Sequence, residues 1–126
     1  MSKLLKPTDA ELEVLQVLWS KGPSSVRTVH EALSEHKSTF YTTTLKTMQV
    51  MLDKGLLDRD TSARSHIYSS NVSQGQVQRS IVSRIKDTVF GGSMSQLIIS
   101  AIGQDKPTKE ELDQIKSMID KLEQDD

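Results

Sequence analysis

Apolar residues recur at helical spacing in several stretches of the chain, and three of these stretches lie before Gly55. The first begins at the capping box Thr8–Glu11, where a threonine hydroxyl and a glutamate can bond each other's backbone amides, and it stops at Gly22. The second starts at Ser24-Ser25, and the third covers residues 38–55. Three short helices joined by brief turns are typical of a helix-turn-helix arrangement.

The pattern changes after Gly55, where residues 56–60 and 66–69 form two short extended segments. Residues 61–65 form a polar turn between them, so the sequence predicts a two-stranded hairpin. A hairpin of this size is only marginally stable alone, and we expect it to pack on the helices. Residues 1–72 are therefore predicted to form a winged-helix domain.

Residues 73–126 are predicted to form three more helices, with a break at Gly91-Gly92 and a further capping box at Thr108–Glu111. Their apolar positions are Val77, Ile81, Ile85, Val89, Leu97, Ile98, Ile102, Leu112, Ile115, Ile119 and Leu122. About fifty residues leave too little neighbouring chain to cover these faces, and we expect a two-fold dimer formed by residues 73–126. The alternative is that these helices fold back onto the winged helix. The predicted class is mainly α with a small β-hairpin.

The third helix has an unusual polar half. Four threonines near its start disfavour helix formation, because β-branched side chains lose entropy there. Hydroxyl, amide and amine groups are instead suited to phosphates and base edges. The predicted DNA-contacting residues are Tyr41, Thr42, Thr43, Thr44, Lys46, Thr47 and Gln49 on this helix, with Arg59, Arg64 and His66 on the wing.

Charge adds little to this interpretation. Residues 1–72 carry nine Lys or Arg against eight Asp or Glu, and residues 73–126 carry seven against nine. The excess of positive charge in the first part has the sign that DNA binding requires, but it is small. A winged helix can also serve as a protein-interaction module without a specific operator, which is the alternative function.

Enzymatic and metal chemistry find no support in the sequence. Cysteine is absent, and no two of the three histidines have the spacing of a helical metal site. We therefore predict no catalytic residue, metal or cofactor, and we place all three histidines at the surface or in the hairpin. No stretch is long and apolar enough to insert in a membrane, and the expected location is the cytoplasm.

Three motifs give the chain a specific resemblance: Leu5-x-Pro-Thr-Asp-Ala-Glu-Leu-Glu-Val-Leu-x-x-Leu-Trp19, Thr39-x-Tyr-Thr-Thr-Thr-Leu-Lys-Thr-Met-x-x-Met-Leu-Asp-Lys-Gly-Leu-Leu57, and Phe90-Gly-Gly-Ser93. With these the chain resembles the penicillinase-repressor family (BlaI/MecI), with the CopY-type copper repressors as cousins. The resemblance implies a winged-helix domain, dimerisation through C-terminal helices and repression at palindromic operators. It also implies control of genes for β-lactamases, penicillin-binding proteins or copper export, and a membrane-bound metalloprotease as inducing partner.

The chain departs from that family in two respects. The antibiotic-responsive members are inactivated by cleavage of an Asn-Phe bond, and the aligned bond here is Ser100–Ala101. Whether release occurs by proteolysis at this bond is therefore open. The copper-responsive members carry a C-terminal cysteine cluster, which this chain lacks, so copper sensing by that route is excluded.

Overall fold

The computed structural model describes residues 6–125, so that Leu5, at the start of the first motif, lies outside the described residues. The elements are the helices α1 (Asp9–Lys21), α2 (Val26–Ser34), α3 (Tyr41–Lys54), α4 (Gln74–Thr88), α5 (Met94–Gln104) and α6 (Lys109–Gln124), and the strands β1 (Leu57–Asp60) and β2 (Ile67–Ser70). The prediction of a mainly helical chain with one β-hairpin is confirmed.

The helix ends follow the capping signals in the sequence. The Thr8 hydroxyl accepts a hydrogen bond from the Glu11 amide, and the Glu11 carboxylate accepts one from the Thr8 amide. Gly55 ends α3 in the left-handed conformation (φ 84°, ψ 11°), which glycine adopts without a steric penalty. Helix α5 continues through Gly103 and stops at Gln104.

One core joins the helices to the hairpin. Its buried apolar residues are Val14, Leu15, Leu18, Val26, Val29, Met48, Met51, Leu56, Leu57, Tyr68 and Val77. Each of the first three helices contributes the side chains of one face, as an apolar stripe of helical period requires. Because Met48 and Met51 of α3 are buried in this core, the opposite face of that helix faces solvent.

The hairpin is attached to the helices by backbone and side-chain hydrogen bonds. Strands β1 and β2 are antiparallel, and Tyr68 of β2 also exchanges two backbone hydrogen bonds with Ser24, of 2.8 and 2.9 Å. The indole of Trp19 donates to the Ser70 hydroxyl and to the Val72 carbonyl oxygen. These bonds stabilise an element that would be marginal alone, and they determine where the wing lies relative to α3.

The described chain divides into two compact units, of which the first ends at Val82 and the second begins at Ser83. We predicted a boundary after residue 72, but the first half of α4 belongs with the winged helix because Val77 is only 1% exposed in its core. Ile81 is partly buried against the same core. The prediction that Val77 is available for dimerisation is therefore wrong, and Ile81 offers only part of its surface.

An ion pair between Glu11 and Lys54 links α1 to α3 at 2.8 Å, with the Glu11 side chain almost fully buried. Burial raises the pKa of Glu11, but hydrogen bonds from Lys54 and Thr8 and the charge of Lys54 outweigh burial and lower it below 4.5. A carboxylate with a depressed folded-state pKa stabilises the fold above the unfolded value, and this contribution is lost as the pH falls.

We expect Glu11→Gln to lower the unfolding free energy by about 1–2 kcal/mol at pH 7. A larger loss is not expected, because Lys54 is partly exposed and solvent screens the ion pair. The difference from the wild type should shrink as the pH falls below 4.5, the ordinary value of the group. Urea unfolding at a series of pH values measures this. Glu13, which pairs with Lys37 at the same 2.8 Å but in an exposed position, is the matched control. Glu13→Gln should change stability by less than about 1 kcal/mol, and an equal effect of both variants would contradict the prediction.

Candidate nucleic-acid interface

The solvent-facing side of α3 carries the polar residues that we predicted to contact DNA. Tyr41, Thr42, Thr43, Lys46 and Gln49 are exposed there, and Thr47 is half-buried. The Thr47 hydroxyl donates to the Thr43 carbonyl oxygen of its own helix at 2.9 Å. Its oxygen can therefore still accept a hydrogen bond, although its proton is already engaged.

Thr44 is the exception among the predicted α3 contacts. It is only 2% exposed, and its hydroxyl lies 3.0 Å from Nδ1 of His30 on α2. The side chain faces the interior of the helix-turn-helix, because position 44 lies one turn before Met48 on the buried face. The prediction that Thr44 faces the groove is therefore wrong, and this residue belongs to the packing between α2 and α3.

The three predicted wing residues, Arg59, Arg64 and His66, are all exposed. Arg59 is paired with Tyr68 across the hairpin, whereas Arg64 and His66 lie in the loop before β2. At the start of this loop the Ser62 amide donates to the Asp60 carboxylate. Hydrogen bonds from the hydroxyl and amide of Ser62 lower the pKa of Asp60, so this turn is held by an ionised carboxylate at neutral pH.

A cavity of ≈ 230 Å³ lies where α3 meets the wing. Tyr41 and Leu45 line it from α3, and Arg64, Ser65 and His66 line it from the wing loop, with Val26 and Tyr68 also on its wall. The first turn of α3 and the cationic wing loop are thus neighbours on one surface. The fold thus brings Tyr41 next to wing residues that are more than twenty positions away in the chain.

Phe40 lies directly before Tyr41 and was not among the predicted DNA contacts. It precedes α3, is 79% exposed, and provides no side-chain hydrogen bond to cap the helix. An exposed phenylalanine beside threonine methyl groups supplies apolar surface of the kind that packs on thymine methyls. Its position immediately before a polar helix could have suggested this role, but apolar residues before helices more often pack inward.

His30 was predicted to lie at the surface, but it is half-buried between α2 and α3. Besides the Thr44 contact, its Nε2 lies 3.4 Å from the Ser34 hydroxyl. Its ring meets Tyr41 edge to face, with 5.6 Å between the ring centres and 81° between the planes. His36 is exposed, as predicted, and His66 lies in the wing loop.

The second compact unit offers a different kind of surface. No residue between 83 and 125, all of which the structure describes, is buried. Of the predicted dimerisation residues, Ile85, Val89, Ile98, Ile102, Ile119 and Leu122 are exposed, whereas Leu97, Leu112 and Ile115 are half-buried. Met94, Ile99 and Met118 are also exposed apolar residues that the prediction did not include. Ser100 and Ala101, the candidate cleavage positions, are exposed within α5.

Within residues 6–125, no helix is long and apolar enough to cross a membrane. Over the same residues, no group of three or more His, Cys, Asp or Glu side chains is arranged to hold a metal ion.

Comparison with known proteins identifies the family. A sequence profile of the penicillinase repressor family matches residues 7–121. The penicillinase repressor of Bacillus licheniformis is 23% identical over 95% of this chain and 94% of its own length. The transcriptional regulator BlaI of Mycobacterium tuberculosis is 39% identical over 70 residues, which cover 55% of this chain and about half of that protein (51%).

A solved structure agrees with these sequence matches. The solution structure of the monomeric form of Bacillus licheniformis BlaI in complex with the blaP half-operator matches with a TM-score of 0.52 and 26% identity. The match covers 60% of this chain and 93% of the solved one. The predicted winged-helix architecture is thereby confirmed. The chain belongs to the penicillinase repressor family, which consists of DNA-binding transcriptional repressors and not of enzymes.

Proposed function

We propose that this chain is a homodimeric transcriptional repressor that binds palindromic operator DNA. In this proposal α3 enters the major groove and the wing lies on the flanking backbone. The main support is that Tyr41 of α3 meets Arg64 and His66 of the wing loop around one cavity. The other exposed hydroxyl, amide and amine groups of α3 follow Tyr41 on the same helix. In the relative from Bacillus licheniformis, the same domain is solved in complex with a half-operator.

The groups on this surface divide into two kinds of contact. Lys46, Arg59 and Arg64 and the hydroxyls of Tyr41 and Thr42 are suited to phosphates, which determine register but carry no sequence information. Thr43, Thr47 and Gln49 are the candidates for reading bases, and Phe40 adds an apolar contact for a thymine methyl. Thr44 is not among them, since its hydroxyl is buried.

Dimerisation is proposed through the second unit. The exposed apolar residues of α5 and α6 would be covered by the same helices of a second copy, in a two-fold interface. Two recognition helices would then meet two half-sites separated by about one turn of DNA or a multiple of it. A linked pair of half-sites raises operator affinity through effective concentration.

Release from DNA is proposed to follow a cut in α5, made by a membrane-bound metalloprotease. The Ser100–Ala101 bond lies in a helix without buried residues, so the local unfolding that a protease requires would cost little. The proposed regulated genes are those for β-lactamases, penicillin-binding proteins or related stress functions. The cut would separate α6 from the rest of the chain and weaken the dimer.

A mobility-shift titration with the DNA upstream of the chain's own gene tests the function. We expect a complex that survives an excess of unrelated competitor DNA, and footprinting should place it on a two-fold symmetric site. A chain that binds the upstream fragment no better than the competitor would contradict operator binding. That result would favour the protein-interaction module.

Lys46→Ala is expected to weaken binding to operator and unrelated DNA by similar factors, because a phosphate contact does not depend on the base sequence. The slope of log affinity against log salt should become shallower by about one unit for each protomer bound. Fluorescence anisotropy titrations between 50 and 300 mM salt provide this slope.

The control for charge is Lys109→Ala, which removes an exposed lysine at the start of α6. It should leave the salt slope unchanged within error. An unchanged slope in the Lys46→Ala protein would exclude the proposed docking of α3.

A further inference from the structure

We infer that His30 is a positioning residue for operator recognition, an inference that rests on the proposed function. His30 lies on α2, behind the candidate interface, and contacts α3 at two points. One is the buried hydroxyl of Thr44, and the other is the ring of Tyr41. His30 need not touch DNA, because both of its neighbours lie in the first turns of α3.

The Thr44 contact determines how α3 is rotated about its own axis. Thr44 is only 2% exposed, so its hydroxyl is shielded from water, and the structure provides His30 Nδ1 at 3.0 Å as its partner. The bond is satisfied in one rotation of the helix only, since a small turn of α3 would separate the two atoms. Thr43 and Thr47, one residue before and three after, are candidates for base contacts. Their directions are therefore linked to this bond.

The Tyr41 contact links His30 to the part of α3 that lies beside the wing. The tyrosine ring is 44% exposed, meets His30 edge to face, and lines the cavity with Arg64 and His66. Edge-to-face packing favours one orientation of an aromatic ring. The far side of His30 is in turn held by Ser34, with 3.4 Å between Nε2 and the hydroxyl. A chain of contacts thus runs from α2 through His30 to the rim of the candidate groove-binding surface.

Loss of this positioning should lower sequence specificity more than it lowers the general affinity for DNA. Phosphate contacts tolerate small displacements of a helix, whereas a base-edge hydrogen bond depends on direction. Loss of the His30 contact should therefore lower operator affinity and leave affinity for unrelated DNA unchanged. Loss of a residue that only stabilises the fold would lower both affinities by the same factor, because only the folded fraction of the protein binds.

The test compares two amides that differ by one methylene. His30→Asn places an amide near the position of Nδ1 and can keep the Thr44 bond, whereas the His30→Gln amide lies nearer the position of Nε2. We expect His30→Gln to lose about tenfold in operator affinity, the size of one mismatched base pair, and His30→Asn to stay within about threefold of the wild type. Affinity for a scrambled duplex of equal length should be the same for all three proteins.

The matched control is His36→Gln, an exposed histidine outside this network, which should bind as the wild type does. Each protein is titrated with the upstream DNA fragment and the scrambled duplex, and its thermal midpoint is recorded. Unchanged operator affinity in His30→Gln, equal losses in the Asn and Gln variants, or parallel losses on both duplexes would each overturn the positioning role alone. A wild-type protein without preference for the upstream fragment would overturn the proposed function as well.

Discussion

Ile98→Asp in α5, or Ile119→Asp in α6, is expected to convert the protein to a monomer and to lower affinity for the full operator at least about 100-fold. Both side chains are about half exposed in the single chain, so a carboxylate there costs the isolated fold little. In a two-fold interface each substitution would bury two unpaired charges, one from each protomer. The operator loss follows because a dimer binds its second half-site at a high effective concentration. Sedimentation velocity and anisotropy titrations measure the two effects.

The half-operator provides the internal control for this prediction. A single half-site engages one winged helix, so the aspartate variants should bind it as the wild-type protomer does. Ser95→Asp and Ser117→Asp place the same charge at exposed polar positions of the same helices and should leave the dimer intact. A purified fragment that ends at Ser100 should behave like the aspartate variants. A wild-type protein that sediments as a monomer at micromolar concentration would contradict dimerisation.

Met48→Ala is expected to lower the unfolding free energy by about 2–5 kcal/mol, the usual cost of a cavity at a fully buried methionine. Met48 is completely inaccessible in the core of the winged helix. A small domain has only about 5–15 kcal/mol in total, so this loss is a large share of its stability. Thermal and urea unfolding, followed by circular dichroism, measure the loss.

The neighbouring residue on α3 should show the opposite behaviour. Gln49 is exposed, and Gln49→Ala should change stability by less than about 0.5 kcal/mol. It should instead relax operator preference at particular base pairs, by about 1–3 kcal/mol if the amide makes a bidentate contact. Equal stability losses for the two substitutions would mean that α3 is not divided into a core face and a DNA face.

Much of the fold could be predicted from local sequence signals. The capping boxes at Thr8 and Thr108 and the glycine at position 55 marked helix ends correctly, because those hydrogen bonds join residues within one turn. Met48 also fits the helical spacing of the apolar positions in α3, and it is buried. Prediction was less successful where a residue's environment depends on a distant element.

Thr44 shows this limit most clearly. Its hydroxyl chemistry matched that of its exposed neighbours, and only the approach of α2 with His30 makes it an interior residue. Val77 fits the helical stripe of α4 equally well as a dimer contact or as a core residue. In the structure it is buried in the core of the winged helix. Periodicity identifies an apolar face, but it does not say which element covers that face.

The helical class, the hairpin, the helix ends and the family resemblance could all be predicted from the sequence, because each depends on the order of residues within short segments. The tertiary structure alone decided that Thr44 and Val77 are interior, that Phe40 is exposed, and that Arg64 and His66 lie beside Tyr41. These facts arise from packing between residues far apart in the chain, where space and hydrogen-bond partners are provided by other elements. The surface proposed to bind DNA is therefore encoded in α3 but shaped by α2 and the wing.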